Sequence, residues 1–117
     1  MKQTAFAPVA VSPGSVLREE IGTRLGISQD RLARAIGVSR LTINEIVNEK
    51  RAVTAEMALK LSKALGTDPE FWLTLQLGLD LARAREKCGE LPEVEVLRPR
   101  VEFPGIESLR ERRLAAG

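Results

Sequence analysis

Ser28-Gln29-Asp30-Arg31-Leu32-Ala33-Arg34-Ala35-Ile36-Gly37-Val38-Ser39-Arg40-Leu41-Thr42-Ile43-Asn44-Glu45-Ile46-Val47-Asn48 is the stretch on which the fold turns. Ser28 is an N-cap candidate, because its hydroxyl can accept from an otherwise orphaned backbone N–H. Leu32, Ala33 and Ile36 then mark one face of a short helix. Gly37 ends that helix, since a glycine takes the left-handed conformation at low cost. Val38 alone separates it from Ser39, a second cap. Ile43, Ile46 and Val47 supply the apolar face of the next helix and leave Arg40, Leu41, Asn44 and Glu45 to point elsewhere. Two short helices that cross closely need a small residue at the crossing, and Ala33 is small. The turn needs a residue at ease with positive φ, at Gly37, and an apolar plug, at Val38. Together these demands describe a helix-turn-helix, whose second helix lies in the DNA major groove. The alternative is an ordinary helical hairpin in a bundle.

Outward from this unit the chain reads as helices. Ser12-Pro13 is a helix start, and Val16, Leu17, Ile21 and Leu25 form a stripe that Gly26 ends. Asn48-Glu49-Lys50-Arg51 is a polar connection, in which Asn48 can adopt the left-handed conformation. Thr54 caps a fourth helix with Met57, Ala58, Leu61 and Leu65 inward, ended by Gly66. Asp68-Pro69-Glu70 caps and starts a fifth. That helix carries two stripes: Phe71, Leu75, Leu79 and Ala82, and then Leu73, Leu77 and Leu81. A helix apolar on two faces needs two partners, its own domain and a second copy, which makes Leu73, Leu77 and Leu81 the expected dimer interface. The alternative is that both faces pack within the chain. Trp72 reads as core or dimer interface rather than a ligand site. The expectation is an all-α fold: an N-terminal arm at 1–12, a five-helix domain at 13–86, and an extension at 87–117. In the extension Glu93–Leu97 and Arg100–Phe103 alternate like short strands, and Ile106–Leu114 reads as a final helix.

Composition agrees. Hydrophobic residues make up 44% of the 117 and aromatics 3%, so the core must be aliphatic, which suits helices better than sheets. The net charge is only +2. Its excess lies in the first half, where Arg18, Arg24, Arg31, Arg34, Arg40, Lys50 and Arg51 outnumber Glu19, Glu20, Asp30, Glu45 and Glu49. Cys88 is the single cysteine, so no intramolecular disulfide can form. A reducing cytoplasm is expected. No apolar run approaches the roughly 18 residues of a membrane span. Histidine is absent, and there is neither a metal-ligand cluster nor a Gly-rich phosphate loop. No enzyme, cofactor or metal is therefore expected.

The run from Ser28 through Arg40 resembles the phage-repressor (XRE, or Cro/C1) helix-turn-helix family. Three further pieces narrow the resemblance to the HigA-type (VapI-like) antitoxins over Pro13 to about Arg85. They are Pro13-Gly14-Ser15-Val16-Leu17-Arg18-Glu19-Glu20, Asn48-Glu49-Lys50-Arg51-Ala52-Val53-Thr54-Ala55-Glu56-Met57-Ala58-Leu59, and Leu65-Gly66-Thr67-Asp68-Pro69-Glu70-Phe71-Trp72-Leu73-Thr74-Leu75-Gln76. This chain has Ser12 where the family usually has histidine, and Glu49 where it commonly has glycine. The resemblance implies a phage-repressor-like fold and a dimer that binds double-stranded operator DNA at its own promoter. It also implies a partner, a HigB-type toxin of the RelE-like mRNA endonucleases, which the antitoxin neutralises. A stand-alone transcriptional regulator without a toxin is the alternative.

Each candidate DNA-binding residue has a chemistry that suits it. Gln29, where the family pattern also has glutamine, can bond a phosphate beside its helix N-terminus. Ser39 caps the recognition helix. Arg40 can bond a guanine edge bidentately or hold a phosphate. Leu41 can touch a thymine methyl, and Thr42 and Asn44 can reach phosphate or base. Glu45 can accept from cytosine N4 or stand as a solvated helix residue. Lys50 and Arg51 are expected phosphate anchors.

Overall fold

Ser12 starts the first helix with a capping box: its Oγ accepts from the Ser15 N–H at 3.1 Å, while the Ser15 Oγ accepts from the Ser12 N–H at 3.2 Å. The structure, a computed structural model, describes residues 11–102. The arm at 1–10, Phe103 and the expected final helix at Ile106–Leu114 lie outside the described residues.

Helix α1 spans Pro13–Glu19 and runs on into a π-helical turn at Glu20–Arg24. The wider turn carries a consequence. It breaks the 3.6-residue period, so Leu25, which that period places on the buried stripe, is exposed. Ile21 is buried, and Ile27 packs on the core in place of Leu25. Helix α2 spans Gln29–Ile36, capped by Ser28, whose Oγ accepts from the Arg31 N–H at 3.0 Å. Gly37 at φ 75° ends it. Helix α3 spans Arg40–Val47 under the Ser39 cap. Helix α4 spans Ala55–Leu65 under the Thr54 cap, and α5 spans Pro69–Cys88. Asp68 stands at the start of α5, but its carboxylate makes no capping bond; the Phe71 N–H bonds the Asp68 carbonyl instead, at 3.1 Å.

The core joins all five helices through Leu17, Ile21, Leu32, Ala33, Ile43, Ile46, Val47, Ala58, Leu61 and Trp72, with Val53 from the α3–α4 connection. Gly14 sits where α1 crosses α3: a Cβ on it would lie 2.5 Å from the Ile46 carbonyl oxygen and 2.6 Å from that of Val47. Val38 plugs the turn between α2 and α3 from a partly buried position.

Helix α5 departs from its two expected stripes. Its buried residues are Trp72 and Gln76, while Leu73 and Leu75 are partly buried against the core. Leu77 is 57% and Leu81 41% exposed, and Phe71 is exposed too. The Trp72 indole N–H donates to Thr67 Oγ1 at 2.8 Å, so the one polar atom of this core residue is satisfied. Gln76 accepts from the Val53 N–H at 2.8 Å and donates to Asp80 at 2.9 Å. This buried amide ties α5 to the connection that follows α3.

Gly89 and Leu91, both at positive φ, turn the chain out of α5. The strand expected at Glu93–Leu97 does not form, nor does one at Arg100–Glu102; no residue between 11 and 102 is in a strand. An alternating segment becomes a strand only when a ladder partner satisfies its backbone, and this all-helical domain offers none.

Candidate nucleic-acid interface

The entrance of α3 is shaped by its cap. Ser39 Oγ accepts from the Thr42 N–H at 3.1 Å and lies 2.9 Å from Thr42 Oγ1. Both hydroxyls are thus engaged at the helix start rather than extended from it. The cap leaves Arg40, Leu41 and Asn44 exposed, and these three line a shallow depression of about 400 Å³. A cation, a branched apolar tip and a carboxamide stand together there, on a helix held from below by Ile43, Ile46 and Val47.

Four side chains form a hydrogen-bonded chain across three helices. Arg18 of α1 donates to Asn48 Oδ1 at 3.3 Å. Asn48 Nδ2 donates to the Asn44 carbonyl at 2.9 Å and to Asn44 Oδ1 at 3.2 Å. Asn44 Nδ2 donates to Gln29 Oε1 at 3.2 Å. The structure therefore joins Gln29 and Asn44, which the sequence placed on separate helices, and adds Arg18 and Asn48, which sequence reasoning did not single out. Periodicity marks only the buried face, so nothing in the pattern relates exposed Arg18 to Asn48.

Glu45 and Arg51 find each other. The Arg51 guanidinium meets Glu45 Oε1 at 2.7 Å, with a second bond from Nε at 2.8 Å. Each compensates the other's charge in the free protein. Lys50 is exposed, and with Arg31 and Arg40 it carries no ion pair among the described residues.

The left-handed residue at the end of α3 is Glu49 rather than Asn48. Asn48 has φ −94°, and Glu49 takes the left-handed conformation at φ 61°. Asn48 stays at negative φ, with its side chain folded back on Asn44. Glu49 lacks glycine's freedom there, and three contacts from two residues hold it: Ser12 Oγ donates to its carboxylate, and Arg83 reaches both its carbonyl, at 3.3 Å, and its carboxylate, at 3.6 Å.

No helix among the described residues is long and apolar enough to cross a membrane. A helix-turn-helix family matches residues 17–72. The virulence-associated protein A' of Dichelobacter nodosus is 40% identical over 96 residues, 81% of this chain and 83% of that protein. Antitoxin HigA-1 of Vibrio cholerae serotype O1 is 38% identical over 99 residues, 85% of this chain and 90% of that one. The solved structure of the Pseudomonas aeruginosa antitoxin HigA with the higBA promoter matches with a TM-score of 0.70 at 39% identity, covering 75% of this chain and 98% of that one. With its five helices, its capped α2–α3 pair and relatives of this coverage, the chain belongs to the helix-turn-helix family of the HigA-type antitoxins.

Proposed function

We propose that this protein is the antitoxin of a two-component toxin–antitoxin module. It acts in the cytoplasm as a homodimer that binds operator DNA upstream of its own gene, and it neutralises a HigB-type, RelE-like mRNA endonuclease. Its family is one of DNA-binding regulators and antitoxins rather than enzymes. The observation that carries the DNA half is the exposed Arg40–Leu41–Asn44 face at the capped start of α3. With α3 in the major groove, Arg40 faces a guanine edge and Leu41 a thymine methyl, while Asn44 offers an amide to adenine. Gln29 and Lys50 hold phosphates, Gln29 from the first turn of α2 and Lys50 beyond α3. Ser39 and Thr42 fix the helix entrance. Arg51 reaches a phosphate on release from Glu45, and Glu45 then becomes available to cytosine N4. The 13–86 domain carries this face, and Leu73, Leu77 and Leu81 pair the two copies.

Two of the relatives are antitoxins by name, and one of these was solved with the higBA promoter. A gel shift with the gene's own upstream region tests the DNA reading. Binding should weaken steeply with salt, as phosphate contacts demand, and protect half-sites about 34–36 Å apart or a multiple of it. The toxin reading predicts a small reading frame beside the gene; on co-expression the two products should co-purify and growth arrest should be relieved. Operator binding without any toxin partner would instead identify a stand-alone regulator.

A further inference from the structure

Helix α5 runs past the domain it caps. It buries Trp72 and Gln76 in its first half, and every residue from Arg83 to Cys88 is exposed. At its end Leu81, Ala84, Arg85, Cys88, Gly89 and Leu91 line an open, largely apolar groove of about 240 Å³. The groove continues the exposed Leu77–Leu81 stripe.

Among the described residues, the segment after Leu91 does not line this groove. Leu91 at φ 56° donates to the Cys88 carbonyl and accepts from the Val94 N–H at 3.0 Å. The segment that follows these turns is exposed throughout residues 92–102. Val94, Val96 and Leu97 then stand 58%, 80% and 86% exposed. Three such side chains in four residues are a feature of segments that bind something. The charges complement each other. From Glu90 to Leu97 the chain has Glu90, Glu93 and Glu95 and no basic residue; from Ala82 to Gly89 it has Arg83, Arg85 and Lys87 against Glu86.

We propose that the groove receives the Glu93–Leu97 segment of a second copy of this chain. An extended segment lays Val94 and Val96 on one face, toward the apolar floor, and leaves Glu93 and Glu95 at the rim, where the long Arg85 and Lys87 side chains meet them. Under two-fold symmetry the exchange is reciprocal, each copy supplying one groove and one segment. The inference rests on the dimer of the proposed function and extends that interface beyond Leu81.

Cys88 lies in the groove as the single thiol of the chain and reports directly on its occupancy. The experiment uses the full-length protein, with sedimentation giving the oligomeric state and a disulfide reagent giving the Cys88 reaction rate across protein concentration. The thiol should react rapidly in the monomer and slowly in the dimer. The double variant V94D/V96D should restore the rapid rate and weaken the dimer by about tenfold or more, the change expected when apolar contacts worth at least 1.4 kcal/mol are lost. Arg85→Glu should weaken it too, and adding Glu95→Lys should recover it. Both valines are exposed in the single chain, and circular dichroism verifies that the variants fold. A dimer whose Cys88 reacts as fast as the monomer's overturns the exchange while leaving the dimer standing. So does slow reaction unmoved by V94D/V96D, which means that something else fills the groove. Protection at all concentrations would assign the groove to the chain's own segment, and protection only with toxin present would assign it to the toxin; either overturns the proposal. A protein monomeric throughout overturns the dimer and the exchange together.

Discussion

Replacing Gly14 by alanine sets a methyl carbon 2.5 Å from the Ile46 carbonyl oxygen and 2.6 Å from that of Val47. Both atoms are backbone, in the last turn of α3, so neither can swing aside as a side-chain tip would. Clearing them requires α1 and α3 to separate by about half an ångström or more, and overpacking of this kind costs about 1–3 kcal/mol. Alanine's helix propensity returns up to about 1 kcal/mol in a helix interior, and less at the second position of α1. The net effect is destabilising. For a domain of this size the melting temperature falls by about 4–8 °C per kcal/mol. The control is Gly22→Ala, where the added carbon meets nothing within 4 Å and the same propensity gain should appear unopposed. Thermal melts of both variants, followed by circular dichroism, decide the matter. The displaced helix is the one proposed to enter DNA, so Gly14→Ala should also weaken operator binding at temperatures where it is fully folded. A Gly14→Ala variant that melts at or above the parent temperature would refute the close-crossing argument.

Arg40→Ala should cost about 1–3 kcal/mol at one operator base if the guanidinium reads a guanine; uniform weakening over all operator variants, measured by gel shift, would make it a phosphate contact. Gln76→Leu removes the acceptor of the buried Val53 N–H and should destabilise by about 1–3 kcal/mol in chemical denaturation; an unchanged midpoint would show that water replaces the amide. Ser28→Ala deletes the α2 cap and should cost about 1 kcal/mol, with a loss below a few tenths arguing that the cap is dispensable.

Much of the α2–α3 unit was legible because its signals are local. Ser28, Gly37 and Ser39 act on the backbone within a few residues of themselves, and Leu32, Ala33, Ile43 and Ile46 follow the period of a single helix. Helix α5 was harder to read. A hydrophobic stripe cannot reveal Gln76, a polar residue buried because a loop N–H 23 residues earlier bonds it. The π-helical turn displaced Leu25 for a similar reason: sequence period assumes a uniform helix. Glu49, rather than Asn48, takes the left-handed conformation because Ser12 and Arg83, distant in sequence, hold it there. The Glu93–Leu97 alternation was real as a pattern, but a pattern cannot supply a strand partner. Among the candidate contacts, the Arg40–Leu41–Asn44 cluster followed from helix geometry. The pairing of Glu45 with Arg51 and the bonds linking Arg18, Asn48, Asn44 and Gln29 depend on how three helices meet.

Those four linked side chains divide the hydrogen-bonding capacity of Asn44 in a definite way. A carboxamide has two donor hydrogens and two acceptor lone pairs. Gln29 takes one donor and Asn48 one acceptor, so one of each is left for whatever docks on the face. That remainder is what a bidentate contact to an adenine edge consumes. Ordering a rotamer-rich side chain at an interface costs about 0.5–1.5 kcal/mol, and here the bonds impose that order as the domain folds. In the proposed docking, Asn44 thus meets the base edge as a nearly fixed template, one that selects by the match of its two remaining sites rather than by bending to fit.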